Sequence, residues 1–517
     1  MAIVRIWPDM TIADYPFVPS DVALYHRLRP TGNDNTLDTQ TWDDMLLPAY
    51  SAELARETSI FGQQELHRRL HANDDGGPAS TGRVRALLAD DALRGELQTA
   101  CTDLRRTDRE ISEMLYGDAL PSAPRWLPAL AWLPVLFLAS AIAALASGWL
   151  PLWGVVLAAW LALMGIQARY HQAVQEWSRM LNTIQQMLRA HTLMARIEHP
   201  LTAALCADGD DAAGLNRRLR RSLVSALPMV SDYADWLWLQ NVRHYFRSRD
   251  VVRAQILFLR NSFERVAALD ADLALARHLS RCSGYCWAEQ GTQVALERVI
   301  HPLLDDAAPL SFGMARQGLF ISGQNGAGKS TLLRTVGLNL ITARAFGFCY
   351  ATHAVTPRLP VCSSMQNEDA MSNGESFYQA ELRRARELLA IAGQRPAIFL
   401  VDEIFRGTNY LESVSAAAAV LHALAQQGRV VVASHHLILA SLLSDCLQPW
   451  CLSRSEDTWR LQAGLLEQTN GLALLNACGF DPAITAKAAQ TYAWLSNYMA
   501  YPGASVDAGR AVAGDGL

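Results

Sequence analysis

Residues 323–330 read Gly323-Gln324-Asn325-Gly326-Ala327-Gly328-Lys329-Ser330, a glycine-rich loop closed by a Lys-Ser pair. An apolar run, Leu319-Phe320-Ile321, precedes it, and Ser330–Ala345 has the spacing of a helix. Strand, glycine loop and helix together form the setting in which backbone N–H groups wrap a phosphate, because glycine frees the backbone and the helix N-terminus adds its positive dipole end. Lys329 is then expected to reach β- and γ-phosphates, and the Ser330 hydroxyl to ligate Mg²⁺. The expected phosphate-binding set is Gly323, Gln324, Asn325, Gly326, Ala327, Gly328, Lys329, Ser330 and Thr331.

Working outward, Ala397-Ile398-Phe399-Leu400-Val401 is an apolar strand that ends in Asp402-Glu403. Burying the strand places Asp402 at its C-terminal edge beside the Mg²⁺ site, while Glu403 is set to orient or deprotonate an attacking water. Two carboxylates after a strand also suit a plain solvated turn; the loop upstream decides between them. A further run, Arg429–Ala433, leads into Ser434-His435-His436, and His435 at a strand end can donate to a γ-phosphate. Short apolar runs alternating with helical segments such as Ala380–Ala392 predict an α/β domain with helices covering a largely parallel sheet.

These motifs resemble the MutS family. Asp402-Glu403-Ile404-Phe405-Arg406-Gly407-Thr408 is similar to its DEIxRGT element, and Ser434-His435 to its Thr/Ser-His pair. Asn373-Gly374-Glu375-Ser376-Phe377-Tyr378-Gln379-Ala380-Glu381-Leu382 stands where transporter ATPases carry LSGGQ, a signature missing here. The resemblance implies ATP with Mg²⁺ as ligands, hydrolysis by a P-loop ATPase, and a dimer in which Ser376 reaches the γ-phosphate bound by the partner. It also implies that the helical segment from Asn470-Gly471 to Ala489 packs on the other subunit. Glu375 beside Ser376 puts an anion near phosphate and is expected to slow hydrolysis. Leu37-Asp38, Thr41, Thr58, Gly62, Leu269-Asp270 and His301-Pro302 resemble pieces of the family's helical core, lever and ATPase approach. No Phe-x-Glu wedge element is visible, so mismatch reading of the usual kind is not expected.

The most unusual composition lies elsewhere. Trp126–Ala168 contains no Asp, Glu, Lys or Arg. A spanning helix needs about 20 apolar residues, so the run suffices for two. Ser147-Gly148-Trp149-Leu150-Pro151 is a natural turn between Leu127–Ala146 and Leu150–Gln167. Trp126, Trp149 and Tyr170 stand near the ends, and arginines (Arg105, Arg106, Arg109, Arg125, Arg169, Arg179) flank only the outer ends, which places both large segments in the cytoplasm. The competing reading is a buried hairpin of a soluble core. Helical texture continues on both sides: Leu54–Leu70 and Arg83–Leu115 before, then a heptad-like seam of Val174, Trp177, Leu181, Ile184 and Leu188 ended by Pro200, then Leu215–Leu279 with a break near Pro228. Arg217, Arg218, Arg220 and Arg221 suit phosphate of DNA or lipid, or merely a solvated face.

The chain of 517 residues suits about three structural units. With 18% charged residues and a net charge of −5, there is no global attraction to nucleic acid, so a DNA contact would be a local patch. Nine scattered cysteines, with Cys282/Cys286 and Cys446/Cys451 closest, match neither zinc spacing nor a CxxC pair and suit a reducing compartment. The start, MAIVRIWPDM, lacks a signal-peptide apolar region. The expected order is an N-terminal segment (1–36), helical core (37–125), transmembrane hairpin (126–168), core and lever (169–300), ATPase domain (301–495) and a flexible tail (496–517). The function expected is a membrane-anchored ATPase of the cytoplasmic membrane that converts ATP into clamp or lever motion in a homodimer, on DNA. The alternative is the same switch acting on a membrane protein partner without DNA.

Overall fold

The three strands expected around the glycine loop all form in the computed structural model, which describes residues 16–29, 36–72, 77–124, 126–221, 235–305, 307–365, 377–455, 458–466 and 470–500. The chain divides into two units. One comprises residues up to Thr36, Pro48–Ser283 and Ala345–Gly347; the other comprises Leu37–Leu47, Gly284–Arg344 and the residues from Phe348 onward.

The first unit is helical among its described residues: α1 Pro19–Leu28, α3 Leu47–Leu54, α4 Ile60–His71, α5 Gly77–Ala89, α6 Asp91–Cys101, α7 Ser112–Tyr116, α8 Trp132–Ser147, α9 Leu150–Met194, α10 Ala203–Cys206, α11 Gly209–Leu219, α12 Gln240–Ala254 and α13 Ile256–Arg281. α2, Thr39–Asp44, belongs to the second unit. Gly148, at φ 63, ends α8 in the left-handed cap that glycine favours. Pro151 then opens α9, where a missing N–H costs nothing. Leu127–Ser147, which is α8 with the 3₁₀ turn before it, and α9 are each long and apolar enough to cross a membrane, and only 22% and 11% of their most apolar windows are buried. Beyond its apolar half α9 runs on without a break, and Val174, Trp177, Leu181, Ile184 and Leu188 of the expected seam are all buried.

The helices differ from those the sequence predicts in five places. The apolar spacing over Leu54–Leu70 predicts one helix, but residues 55–59 interrupt it, with Glu57 at φ 57. Ser59 is tied there to Asp270 on α13, its hydroxyl donating at 2.5 Å, so a distant carboxylate overrides local spacing. The Arg83–Leu115 run is broken at Asp90, whose side chain accepts from Leu93 N at 3.0 Å and restarts the chain as α6. The second arm of the hairpin passes Gln167 and continues to Met194, and it stops there rather than at Pro200, which opens a short 3₁₀ turn instead. The first arm begins as a 3₁₀ turn, Leu127–Ala131, before α8. The expected break near Pro228, Arg125, and the tail from 501 onward lie outside the described residues.

The second unit is built on a six-stranded sheet in the order β12-β11-β5-β10-β9-β8. Its strands are β5 Gly318–Gly323, β8 Val361–Ser364, β9 Ile398–Asp402, β10 Arg429–Ala433, β11 Leu447–Ser455 and β12 Thr458–Ala463. All neighbours pair in parallel except β11 with β12. The unbroken apolar runs of β5, β9 and β10 fit this, since helices cover both faces of a parallel sheet. The helices are α14 Lys329–Phe346, α15 Phe377–Gln394, α16 Tyr410–Gln427, α17 Ile438–Leu442, α18 Gly471–Ala477 and α19 Pro482–Ala500. Phe399, Val401 and Val432 pack with Leu388 of α15 and Leu421 of α16 in the core. β2 Glu289–Gln290, β3 Val294–Val299, β4 Leu310–Met314 and β7 His353–Thr356 make a second, four-stranded sheet, and β1 Cys286–Trp287 pairs with β6 Phe348–Cys349. The α/β unit thus begins at Gly284 rather than 301, and it takes in Leu37–Leu47, which the family resemblance groups with the helical core.

α2 belongs to this sheet for a polar reason. Asp44 accepts from Ser363 Oγ at 2.6 Å and Met365 N at 3.0 Å, and Thr41 Oγ1 accepts from Ser363 N at 2.9 Å. Arg384 on α15 closes the network through Asp38 at 2.9 Å. Burial pushes the Asp44 carboxyl up to about 6, against the pull of those hydrogen bonds and of Arg384.

Candidate functional site

β5 delivers the glycine loop to the C-terminal edge of the sheet, and α14 starts at Lys329. Gly326 and Gly328 have φ of 78° and 82°, conformations that a side chain would strain. The N-terminus of α14 follows directly on this loop, and a helix N-terminus favours an anion. Lys329 is buried and folds back on the loop, Nζ donating to Gly323 O at 2.9 Å and Gln324 O at 3.2 Å. Asn325 N donates to Asn470 Oδ1 at 3.0 Å, which braces the loop from the start of α18.

Parallel pairing of β9 beside β10, and of β10 beside β5, brings the remaining residues to the same edge. Asp402 ends β9 opposite Ala433, and its carboxylate accepts a hydrogen bond from Ser330. Burial and the neighbouring Glu403 raise the Asp402 carboxyl, opposed by Ser330, Arg406 and Lys329. Ser330 and Asp402 thus form a joined oxygen pair, as a divalent cation site requires.

Glu403 turns away from the strand at φ 54, and Phe405 follows at φ 59, two strained residues in one short turn. The turn is held from α15: Glu381 accepts from the backbone N–H of Arg406 at 3.0 Å and of Gly407 at 3.1 Å. A side chain at Gly407 would meet Tyr378 at 2.7 Å. The Glu403 carboxylate is gripped by His435 Nδ1 and by Arg406 Nε at 2.8 Å. Burial alone would raise its pKa, but the hydrogen bond and charge of His435, with Arg406, outweigh that and hold it below the ordinary range. A carboxylate that stays ionised and is aimed by two partners suits the role of a base. His436, whose ring lies 4.0 Å from that of His435 between centroids at a tilt of 43°, is held low by burial and by its neighbour.

Two cavities flank the loop. One, of about 730 Å³, is lined by Gly323, Gln324, Asn325, Glu403, Arg406, His435 and Asn470, with Leu472 and Tyr492 from α18 and α19. The other, of about 680 Å³, lies beside Gly328 and Thr331 and is walled by Leu310, Leu332, Trp459 and His301. The Trp459 ring lies 2.8 Å from where a Cβ on Gly328 would stand. His301 Nε2 is buried without a hydrogen-bond partner. Burial holds that ring neutral, pushed down to about 4.

The structure therefore brings Gly323–Thr331, Asp402, Glu403 and His435 together at one sheet edge. Ser376 and Glu375 lie outside the described residues. Arg406 and Asn470 belong to the site but had no role in the sequence reading. Arg406 stands three residues beyond Glu403 in the DEIxRGT-like stretch and Asn470 opens the C-terminal segment, but neither position announces the contact it makes. Among the described residues no group of three or more metal-ligating side chains forms.

Residues 319–493 match the family model for MutS domain V. The chain is 29% identical over 210 residues to the DNA mismatch repair protein MutS of Thermosynechococcus vestitus, covering 38% of this chain and 24% of that protein. It is 32% identical over 182 residues to the Endonuclease MutS2 of Thermus thermophilus, covering 34% and 24%. Over 216 residues it is 31% identical to the DNA mismatch repair protein MSH3 of Mycosarcoma maydis, covering 38% and 18%. The chain thus spans about a quarter or less of the length of these curated relatives.

Proposed function

We propose, for a chain whose residues 319–493 match the model for MutS domain V, that it binds ATP with Mg²⁺ and hydrolyses it as a homodimer anchored in the cytoplasmic membrane. The observation that carries this is the convergence of loop, Asp402, Glu403 and His435 at one sheet edge. The cavity on the Glu403 side suits the terminal phosphate. The one walled by Trp459 and Leu332 suits a base, with the His301 Nε2 as a donor toward it. Lys329 would exchange its loop carbonyls for phosphate oxygens, a stronger, charge-assisted bond. Mg²⁺ held by Ser330 and Asp402 would draw charge off the phosphates. Glu403, ionised and aimed by Arg406, would orient a water and accept its proton, while His435 would be freed to donate to the γ-phosphate.

The dimer is supported by α18, α19 and the turn between them, where Leu472, Leu474, Phe480, Ile484, Tyr492 and Leu495 are all exposed on the single chain. Apolar side chains in such number suit a partner face, and Ser376 of each protomer would then cap the other's nucleotide. Membrane anchoring is supported by α8 and the first half of α9, where Trp132, Leu145 and Leu150 are 72%, 73% and 81% exposed. A hairpin buried in a soluble core would not present them so. Relatives named for DNA mismatch repair support action on DNA. The exposed hairpin favours a second reading, in which the same switch drives a membrane protein partner.

Titration of the detergent-purified protein with ATP and Mg²⁺ tests the premise. Binding with turnover is expected; Lys329→Ala loses binding, and Glu403→Gln keeps it while turnover falls roughly 10²–10⁴-fold. Normal turnover by Glu403→Gln would remove the base assignment. DNA binding at several salt concentrations separates the two roles. Phosphate contacts give a steep salt dependence, and absent binding with intact ATPase would reject the DNA clamp.

A further inference from the structure

The apolar hairpin is not the only element of the helical unit with exposed indoles. Residues 235–238 are helical and include Trp236 and Trp238, which are 52% and 38% exposed. Leu239, at φ 50, turns the chain from them into α12. Where that segment lies is fixed by the register of α12 against α9. Trp177 Nε1 donates to Ser248 Oγ at 2.8 Å, and Tyr170 lies 5.4 Å from Phe246 between ring centroids. As α9 advances from 170 to 177, α12 advances from 246 to 248, so the two run in the same direction. The N-terminal end of α12 therefore points toward the apolar end of α9.

Leu239 precedes Phe246 by two helical turns, about 10 Å. It is fully buried in a cluster with Val242, Leu130 and Leu163, and Leu130 and Leu163 belong to the uncharged stretch of the hairpin. Trp126, at the hairpin's outer end, meets Phe246 edge-on at 6.0 Å. If Trp126 and Tyr170 mark the headgroup level, as interfacial aromatics do, then Leu239 and the two indoles before it lie deeper, at the boundary of headgroups and acyl chains. Charge accompanies them. Arg221 forms an ion pair with Asp235 at 3.1 Å, which ties the arginine run at the end of α11 to the root of this segment. Arg217, Arg218 and Arg220 of that run are exposed.

We propose that Trp236 and Trp238 dip into the cytoplasmic leaflet beside the hairpin as a third membrane-contacting element, and that Arg217, Arg218 and Arg220 bind anionic lipid headgroups around it. This rests on the membrane reading of the hairpin. Exposed indoles are apolar bodies with a polar N–H, suited to that depth. Each arginine near an anionic surface contributes about 1 kcal/mol, or about fivefold in local lipid preference. The arginine run is then a lipid contact rather than a DNA contact, and it is continuous with the surface already assigned to the bilayer.

The test uses the full chain reconstituted in vesicles of phosphatidylcholine containing phosphatidylglycerol. A photo-crosslinking p-benzoylphenylalanine replaces Trp236, Trp238 or, as reference, Leu157 in the hairpin, and adducts are read by mass spectrometry. Lipid adducts at all three positions are expected. Adducts at Leu157 alone would overturn the inference and leave the hairpin reading intact, and adducts at none would overturn both. Adducts joining two copies of the chain through position 236 or 238 would assign the indoles to a protein interface instead. Phosphatidylglycerol should exceed its share of the vesicle among adducts at 236 and 238, and Arg217→Glu, Arg218→Glu and Arg220→Glu should each cut that excess about fivefold. An excess that survives all three changes would remove the arginines from the proposal.

Discussion

Glu403 is held by opposing forces: burial works against its charge, while His435 and Arg406 keep it ionised. Arg406→Ala leaves burial with one opponent fewer, so the Glu403 pKa rises. A base must be unprotonated to act, and the acid limb of the turnover–pH profile is then expected to move to higher pH; an unmoved limb would show that another group sets it. Gly328 offers a sharper steric test. It lies at φ 82 with Trp459 only 2.8 Å from the missing Cβ, so Gly328→Ala is expected to abolish nucleotide binding, and removing the indole as well should not restore it, because the backbone strain remains. Isothermal titration of both variants decides. At this scale the sequence was highly informative. Lys329, Ser330, Asp402, Glu403 and His435 were legible because a glycine loop between strand and helix, and the acidic and histidine strand ends, are each marked by short, fixed spacings. Asn470 was not, since it reaches Asn325 across the fold and nothing in its neighbourhood announces that.

Elements met where spacing alone gave no instruction. α4 and α13 approach so closely at Gly62 that an added Cβ would lie 2.6 Å from Asp270 Oδ2 and from the Thr58 side chain. Gly62→Ala is expected to destabilise the helical unit by about 1–3 kcal/mol, the usual range for overpacking, as measured by urea unfolding. α2 offers a pH-dependent test. The Asp44 carboxyl sits at about 6 in the fold against an ordinary 3.8, so the folded state holds its proton more tightly than the unfolded chain. The stabilisation this gives is complete below the unfolded value and is lost as pH rises through the folded one. Asp44→Asn should therefore flatten the fall in melting temperature between about pH 4 and pH 6; a fall of unchanged size would place its origin elsewhere. Hydropathy could not place α2 in the α/β unit, because its attachment to β8 is polar and long in sequence separation.

For the molecule as a whole, the exposed faces of α18 and α19 carry the expectation of a dimer. Replacing Leu474 and Ile484 by Asp is expected to leave a monomer, seen by light scattering, that still binds nucleotide but turns it over poorly because each site lacks its partner's cap. A dimer that persists would move the interface elsewhere. Flotation after carbonate washing tests the anchor: retention with the vesicles is expected, and release would make the hairpin part of a soluble fold.

Sequence by itself determined the strand, glycine loop and helix around Lys329, the alternation of strand and helix after Ile300, and the uncharged stretch from Trp126 to Ala168, because each depends on neighbours along the chain. Tertiary structure alone decided that α9 runs unbroken to Met194, that Leu37–Leu47 packs with β8, and that Arg406 and His435 share the carboxylate of Glu403. It also set Leu239 against the apolar hairpin. Those outcomes depend on partners far off in sequence, and no local periodicity records which distant carboxylate, hydroxyl or ring will arrive.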